Sequence, residues 1–177
     1  CIVYPYRVAE ELVADMADAG CTEVSLGFES GSQPVLDGMN KRFSTAEIAE
    51  TSRLLGEAGI GRMGFLLLGG PDETRDTVME SLHFVDALKL ELVKVTIGVR
   101  IYPHTLLARQ AVAEGVIGAD DDLLEPRFYL APAVAGWVEG AVAERQWASP
   151  VVAWAHTQAL SAPEMRSMRG AAYSQSA

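Results

Sequence analysis

Hydrophobic and polar side chains recur along the chain with two periods, which predict strands and helices in alternation. Residues 24–29 alternate between apolar and small or polar side chains, a period of two that is typical of a β-strand. Residues 8–16 repeat apolar side chains at helical spacing, and Gly20 follows as a stop signal. The pattern predicts strands at residues 1–4, 24–29, 63–68 and 93–101, with helices at residues 8–19, 46–58 and 73–88 between them.

Strands separated by helices of this length indicate right-handed βαβ units and a parallel sheet. This pattern alone fits both an open doubly wound sheet and a partial (β/α) barrel. The strands at 24–29 and 93–101 each have one bulky apolar face and one small or polar face, as expected where a sheet curls around a polar ligand. A sheet edge open to water is the alternative explanation. We expect an α/β fold, specifically a partial TIM-type barrel of parallel strands.

The pattern also predicts how the chain is divided. Residues 1–118 carry the alternation of strands and helices and are expected to form the barrel, truncated at its N-terminus because the chain opens within a predicted strand. Residues 119–148 are expected to form a C-terminal helical extension on the barrel, with a helix at about 132–147. Residues 149–177 are rich in Ala and Ser with weak periodicity, which favours a flexible tail.

Composition narrows the possible functions. The chain is 49% hydrophobic, as globular proteins are, and 14 Lys and Arg against 24 Asp and Glu give a net charge of −10. Because no basic cluster offsets this acidic charge, direct nucleic-acid binding is not expected. The apolar runs fall short of the roughly 20 residues of a membrane span. Two cysteines and no signal peptide favour a cytoplasmic protein.

Candidate chemistry lies where the predicted strands end, because parallel α/β folds bind ligands at the carboxyl ends of their strands. Glu29 and Ser30 follow the strand at 24–29 within a glycine-rich run, and a carboxylate there suits a ribose diol or an ammonium group. The strand at 63–68 breaks into Gly69-Gly70, where backbone atoms are open to a flat ring. Glu73, which follows, also suits a structural role as an acid in the first turn of a helix.

These segments together resemble a known family. Residues 23–41 (EVSLGFESGSQPVLDGMNK), residues 64–74 (GFLLLGGPDET) and residues 102–105 (YPHT) resemble, in this order, the back half of the radical S-adenosylmethionine (SAM) core. The resemblance spans roughly residues 1–117. It implies a partial barrel that binds a [4Fe-4S] cluster and SAM at its strand ends. The resemblance further implies that an external donor supplies an electron and that SAM is cleaved reductively to a 5′-deoxyadenosyl radical. This radical would react with an unknown small-molecule substrate.

Residues 124–130 resemble an extension of the branch that has an N-terminal cobalamin-binding domain. This second resemblance implies cobalamin as a further cofactor. The chemistry implied for that branch is methyl transfer, cyclisation or rearrangement of the substrate.

The resemblance also implies roles for individual residues. Glu29 and Ser30 fall where the family contacts the SAM ribose and methionine groups, and Lys41 falls where related members place a basic residue near the SAM carboxylate. Gly69 and Gly70 fall beside the adenine, and Glu73 matches the acid that ends the motif. Asp72 stands where the family usually has glycine, and this departure could stiffen the turn.

Four further charged or aromatic residues lie on or next to predicted strands. Arg100 and Tyr102 lie near the top of the polar face of the strand at 93–101 and are candidates for SAM or substrate contacts, although a buried ion pair explains Arg100 equally well. Lys94 and Arg62 lie at strand starts, on the order of 20 Å from the opposite strand ends, and are therefore excluded from the predicted site.

The family's cluster-binding motif, CxxxCxxC, does not occur in this sequence, and Cys1 and Cys21 cannot replace it at their spacing. The chain is therefore interpreted as a fragment of a radical SAM enzyme that is inactive by itself. The alternative is a non-catalytic α/β barrel-like binding module that has the pocket without a cluster.

Overall fold

The computed structural model describes residues 1–155, which form seven strands and seven helices. The strands, in chain order, are β1 (Ile2–Val3), β2 (Glu23–Glu29), β3 (Gly61–Leu68), β4 (Leu92–Ile97), β5 (Val99–Ile101), β6 (Arg127–Tyr129) and β7 (Val151–Ala155). The helices are α1 (Glu10–Asp18), α2 (Gln33–Gly38), α3 (Thr45–Glu57), α4 (Arg75–Leu88), α5 (Leu106–Ala113), α6 (Pro132–Ala135) and α7 (Val138–Ala143).

Five strands form one parallel sheet in the order β1-β2-β3-β4-β7, and β5 pairs antiparallel with β6 in a separate ribbon. Each successive strand joins the same side of the parallel sheet. Because βαβ crossovers are right-handed, this unreversed order places the crossover helices on one face, as in a (β/α) barrel. A doubly wound sheet would reverse its order. The predicted α/β class with a barrel-type parallel sheet is confirmed.

The two faces of the sheet differ as the alternation predicts. One face is buried beneath the helices, and its side chains include Leu26, Phe28, Leu66, Val93 and Val95, each no more than 1% exposed. The other face, here called the open face, is only partly covered. Its members alternate with the buried set and comprise Ser25, Gly27, Met63, Phe65, Leu67, Lys94 and Thr96.

Local signals fix the helices that flank the central strands. Ser44 caps α3 in a reciprocal capping box with Glu47, and Thr74 caps α4 in the same way with Thr77. Each such cap stabilises its helix by about 1 kcal/mol. Gly59 follows α3 at φ +73°, a left-handed conformation that glycine adopts without strain. The ends of β2 and β3 lie within two residues of the predicted boundaries.

The single strand predicted at residues 93–101 is wrong, because the structure has two separate strands there. Gly98 has φ +96°, which ends β4 at Ile97 and turns the chain out of the parallel sheet. The alternation resumes in β5, but β5 pairs with β6 instead of extending the barrel wall. Arg100 and Tyr102 therefore do not lie on the open face.

Two further predictions need correction. The helix expected at about 132–147 is broken into α6 and α7, because Gly136 ends the first and the indole of Trp137 turns to lie over the guanidinium of Arg75, 4.2 Å from the ring centroid. The flexible tail expected from residue 149 onward is wrong for β7, which pairs in parallel with β4. Residues 156–177 of that predicted tail lie outside the described part of the chain.

Side-chain hydrogen bonds and ion pairs help attach the extension to the barrel. The buried Tyr129 donates a hydrogen bond from its hydroxyl to Glu114 of the segment after α5, at 2.8 Å. Burial and the Glu114 carboxylate raise the pKa of Tyr129 to about 12. Arg145 pairs with Asp86 of α4 at 2.7 Å. These contacts position residues 127–131 directly over the end of β3.

Candidate functional site

The carboxyl ends of β2, β3 and β4 lie side by side at one edge of the sheet. Glu29 ends β2 and is in register with Leu66 of β3, while Leu68 pairs with Ile97 of β4. The glycine that follows β4 is bonded to the last residue of β3, since Gly98 N donates to Leu68 O at 2.8 Å. The sequence-predicted residues at the ends of β2 and β3 are thus brought to the same edge.

Glu29 has an unusual backbone at this edge. The register of β2 shifts between Leu26 and Glu29, and Glu29 has φ +68°, a left-handed conformation that costs a non-glycine residue about 1–3 kcal/mol. The carboxylate folds back over the open face, because a Cβ built on Gly27 would lie 3.6 Å from Glu29 Oε1. The irregular strand end therefore aims the carboxylate at the space in front of the sheet.

Lys41 is the partner of this carboxylate. Its Nζ lies 3.5 Å from Glu29 Oε1, and the two side chains are 21% and 29% exposed. Lys41 Nζ also lies 5.9 Å from the ring centroid of Phe43, which packs edge-on against Tyr4 at 4.7 Å between centroids. A partly exposed pair of this kind contributes about 1 kcal/mol or less, so a polar ligand can exchange for either partner at small cost.

Glu73 holds the Gly-Gly turn after β3. Its Oε2 accepts hydrogen bonds from the backbone N–H of Gly69 and, at 2.8 Å, of Gly70. The side chain is 1% exposed, and its Oε1 has no partner among the described residues. Burial raises the pKa of Glu73, an effect that the two backbone hydrogen bonds partly oppose. Glu73 shapes the turn from beneath, and nothing in this geometry presents it to a ligand.

The two glycines of the turn are both buried, beneath different neighbours. Gly69 O accepts from Ala131 N at 2.9 Å, and the side chain of Leu130 covers the position that a Gly69 Cβ would take. Gly70 has Met39 and Val99 on either side, at 3.5 and 3.7 Å from where its Cβ would be. The extension therefore covers Gly69. Gly70 N donates to Glu73 and Gly70 O accepts from Glu73 N, so a ligand that reaches the turn meets Met39 and Val99 rather than the glycine backbone.

Asp72 occupies the position at which the resembled family has glycine. Its φ of +61° is left-handed, which accounts for the glycine preference there, and aspartate is among the residues that tolerate it best. Next to it, a cavity of ≈150 Å³ lies between α2 and the turn, lined by Val35, Met39, Pro71 and Thr77 among others. This volume is below the roughly 300 Å³ of sites that enclose drug-sized ligands, so any larger ligand lies mainly in front of the sheet.

Ser30 does not share the position of Glu29, although the two are adjacent in sequence. Ser30 is fully buried, and its hydroxyl lies 2.9 Å from the hydroxyl of Ser81 in α4. The same oxygen accepts from the backbone N–H of Ser32 at 3.1 Å. The hydroxyl expected to contact SAM is therefore used to pack α4 against the strand end, and we assign Ser30 a structural role.

Arg100 and Tyr102 are not brought to the cluster of Glu29, Lys41 and Gly70. Both are exposed on the β5–β6 side, where the guanidinium of Arg100 lies 4.9 Å from the ring centroid of Tyr102. Gly98 is the physical reason, since its turn takes both residues out of the wall. Their predicted contact with SAM or substrate has no support in this arrangement.

Lys94 lies closer to the carboxyl edge of the sheet than the sequence predicts. With β4 ending at Ile97, Lys94 stands three residues, or about 10 Å of strand, from the carboxyl edge. Its side chain lies on the open face, 5.4 Å from the ring centroid of Phe65 on β3. The glycine at position 98 was the signal that could have shortened the strand and kept Lys94 within reach of the site.

Residues 1–155 contain no group of three or more His, Cys, Asp or Glu side chains that could hold a metal ion. Cys1 is exposed, and Cys21 is partly buried with its thiol 3.6 Å from Glu23 O. A [4Fe-4S] cluster therefore does not fit the described residues. Within the same range, no helix combines the length and the apolar character needed to cross a bilayer.

Comparison with known proteins finds a matching family model and several relatives. The model described as the radical SAM superfamily matches residues 1–85. An uncharacterized methyltransferase of Pyrococcus horikoshii is 28% identical over 108 residues, which are 61% of this chain and 23% of that protein. The ribosomal protein uS12 methylthiotransferase RimO of Geotalea uraniireducens is 33% identical over 92 residues, 50% of this chain and 20% of that protein. The chain thus spans about a fifth to a quarter of these relatives.

Solved structures agree with the fold. TsrM of Kitasatospora setae, a radical SAM methyltransferase with a tryptophan substrate and a SAM analog bound, superposes with a TM-score of 0.66 at 22% identity. The match covers 80% of this chain and 34% of TsrM. A second TsrM structure, with cobalamin and a [4Fe-4S] cluster bound, gives a TM-score of 0.58 at 25% identity over 64% of this chain and 21% of TsrM.

Proposed function

We propose that this chain, whose residues 1–85 match the radical SAM superfamily, forms the SAM-binding wall of a radical SAM enzyme that transfers a methyl group or rearranges its substrate. The observation that carries the proposal is the strained, partly exposed Glu29 with Lys41 at its side, at the edge where the turn after β3 also ends. The methyltransferases among the relatives and structural neighbours favour methyl transfer, with cobalamin as a second cofactor.

The donors and acceptors at this edge fit SAM. The Glu29 carboxylate can accept hydrogen bonds from the ribose hydroxyls or from the α-ammonium group, and the Lys41 ammonium can pair with the α-carboxylate. The partly exposed side chains of Met39 and Val99, beside the buried Gly70, offer an apolar surface for the adenine ring. When bound, SAM supplies the reactive methyl or deoxyadenosyl group, and these residues orient it.

The proposal assigns the cluster ligands to a part of the protein outside this chain. The chain by itself is then expected to be inactive, because no described residue can hold the cluster that must reduce SAM. An external electron donor and a small-molecule substrate complete the reaction, whereas direct nucleic-acid binding by this acidic segment is not part of the proposal. Two free cysteines are consistent with a cytoplasmic location.

Iron quantification and SAM titration of the anaerobically purified full-length protein test the proposal together. The proposal expects bound iron with a cluster-like absorption band, and SAM binding that saturates at one molecule per chain. SAM binding without iron would instead favour the non-catalytic binding module. Iron without SAM binding, or neither, would contradict the assignment of the strand-end site.

A further inference from the structure

Lys94 is a cationic residue on the open face of the sheet, away from the Glu29–Lys41 pair. It stands on β4 in register with Phe65 of β3, and its side chain is partly buried. Because β4 ends at Ile97, a ligand of about 10 Å extending from the strand ends along the open face can reach it.

The surroundings of Lys94 leave its charge without a counter-ion among residues 1–155. Its one recorded partner there is the Phe65 ring, at 5.4 Å. Of the three lysines in the chain, Lys41 pairs with Glu29, and the exposed Lys89 lies at the end of α4. Glu91, one strand position before β4, is already paired with Arg62 at 2.8 Å. A chain with 24 acidic residues thus leaves this lysine unpaired within its described part.

The neighbours of Lys94 on the open face are mostly apolar. Met63, Phe65 and Leu67 form a row on β3 beside it, and Thr96 provides one hydroxyl nearer the strand end. A cation–π contact of this kind contributes about 0.5–1 kcal/mol and does not replace a hydrogen-bonded anion. A lysine without a specific partner normally extends its alkyl chain so that the ammonium group reaches water. This one lies against an aromatic ring on a partly covered surface.

We propose that Lys94 binds a carboxylate of the substrate, whose apolar or aromatic body lies on Phe65 and Leu67. This orientation places the far end of the substrate at the carboxyl edge, beside Glu29 and Lys41. The inference rests on the proposed function, because it assigns the open face to the substrate and the edge to SAM. It defines the substrate class as an organic acid with an apolar body.

A matched pair of probes tests the proposal on the full-length protein. The probes are 3-phenylpropionate and its neutral analogue 3-phenylpropanol, whose affinities are measured by calorimetry on wild type, Lys94→Met, Lys94→Arg and Lys89→Met. We expect wild type to prefer the acid by about 10-fold, the value of one charge-assisted hydrogen bond. Lys94→Met removes this preference, whereas Lys94→Arg and the exposed control Lys89→Met keep it.

Equal affinity for the two probes, no binding of either, or an unchanged preference in Lys94→Met would each overturn the proposal. SAM affinity measured on the same variants reports separately on the proposed function. If SAM binds and the acid preference is absent, the carboxylate site alone fails. If the acid preference depends on Lys94 and SAM does not bind, the SAM site fails and the carboxylate site stands.

Mass spectrometry of lysine methylation gives an independent readout. With three lysines in the chain, the extent of reductive methylation can be read at each position. We expect 3-phenylpropionate to protect Lys94 and to leave Lys89 unchanged. Equal methylation of Lys94 with and without the acid would contradict its role as the anion-binding residue.

Discussion

The carboxylate of Glu29 lies 3.5 Å from the ammonium of Lys41 at the carboxyl end of β2. The two residues come from different elements, since Glu29 ends a strand and Lys41 follows α2. Glu29 is held at φ +68° to make this approach, and strained residues of this kind occur preferentially at ligand sites. Holding Glu29 in this conformation costs free energy in backbone strain. The small stabilisation that a partly exposed ion pair contributes does not explain that cost, whereas a ligand site does.

Replacing Glu29 by Gln is expected to weaken SAM binding by about 10- to 100-fold, because it removes a charged acceptor worth about 1.5–3 kcal/mol and keeps the shape. Calorimetric titration of the full-length protein measures the effect. Glu23→Gln, at the exposed start of the same strand, is the matched control and should bind SAM as the wild type does. Equal losses in both variants would show a general effect of charge and remove Glu29 from the site.

Ser30→Ala and Ser81→Ala are expected to lower the free energy of unfolding by about 1–3 kcal/mol each, because both hydroxyls are buried and bonded to each other. The double variant should lose less than the sum of the two. Urea unfolding measures all three. SAM affinity, measured under conditions in which each variant is folded, should stay within about 2-fold of wild type. A change of that size is smaller than the contribution of one neutral hydrogen bond. A large loss of SAM affinity in Ser30→Ala with unchanged stability would restore Ser30 to the site.

Gly69→Ala is expected to destabilise the protein by about 1–3 kcal/mol, since Gly69 has φ +92° and its Cβ would collide with Leu130. Gly140→Ala is the control. Gly140 lies within α7 with open space around it, so alanine there should stabilise by about 0.5–1 kcal/mol. Thermal unfolding of the two variants should shift in opposite directions. A neutral Gly69→Ala would mean that the extension does not press on the turn as described.

Glu73 gives a pH dependence with a definite sign. Burial raises its pKa in the folded state above the ordinary value of 4.5, so the folded state keeps a proton that the unfolded state loses first. This contribution to stability is fully present below pH 4.5 and is lost as the pH rises through the folded-state pKa. The stability of wild type relative to Glu73→Gln should therefore decrease from pH 4.5 upward.

Urea unfolding of both proteins across about pH 4 to 8 measures this difference. Taking the difference in unfolding free energy between wild type and Glu73→Gln at each pH cancels the contributions of the other titrating groups. A difference that is constant with pH, or one that increases as the pH rises, would contradict a raised pKa for Glu73.

The parts of the fold that local sequence signals determine were predicted well. The capping serine before α3, the glycine after it and the alternation in β2 each act within a few residues, so the sequence alone places these elements. The same local signals brought Glu29 and the Gly69-Gly70 turn to one edge. The Glu29–Lys41 contact follows from that placement and from the family resemblance.

The errors came from features that do not alter the local pattern. Alternation continues past Gly98 without a break, although its backbone turns the chain into another sheet. The strand β7 is short, and its partner β4 lies far away in the sequence, so nothing local distinguishes it from a tail. Ser30 follows a register shift that sends its hydroxyl toward α4, and a shift of this kind is visible only in the paired strands.

Hydrogen–deuterium exchange of the full-length protein with and without SAM tests the location of the site most directly. The account predicts slower exchange in peptides that cover residues 27–33 and 68–74, at the carboxyl ends of β2 and β3. Peptides at the opposite edge, around Gly61 and Glu91, should exchange at the same rate in both conditions. Protection at that opposite edge, or SAM binding without protection at residues 27–33, would contradict the assignment of this sheet edge as the SAM site.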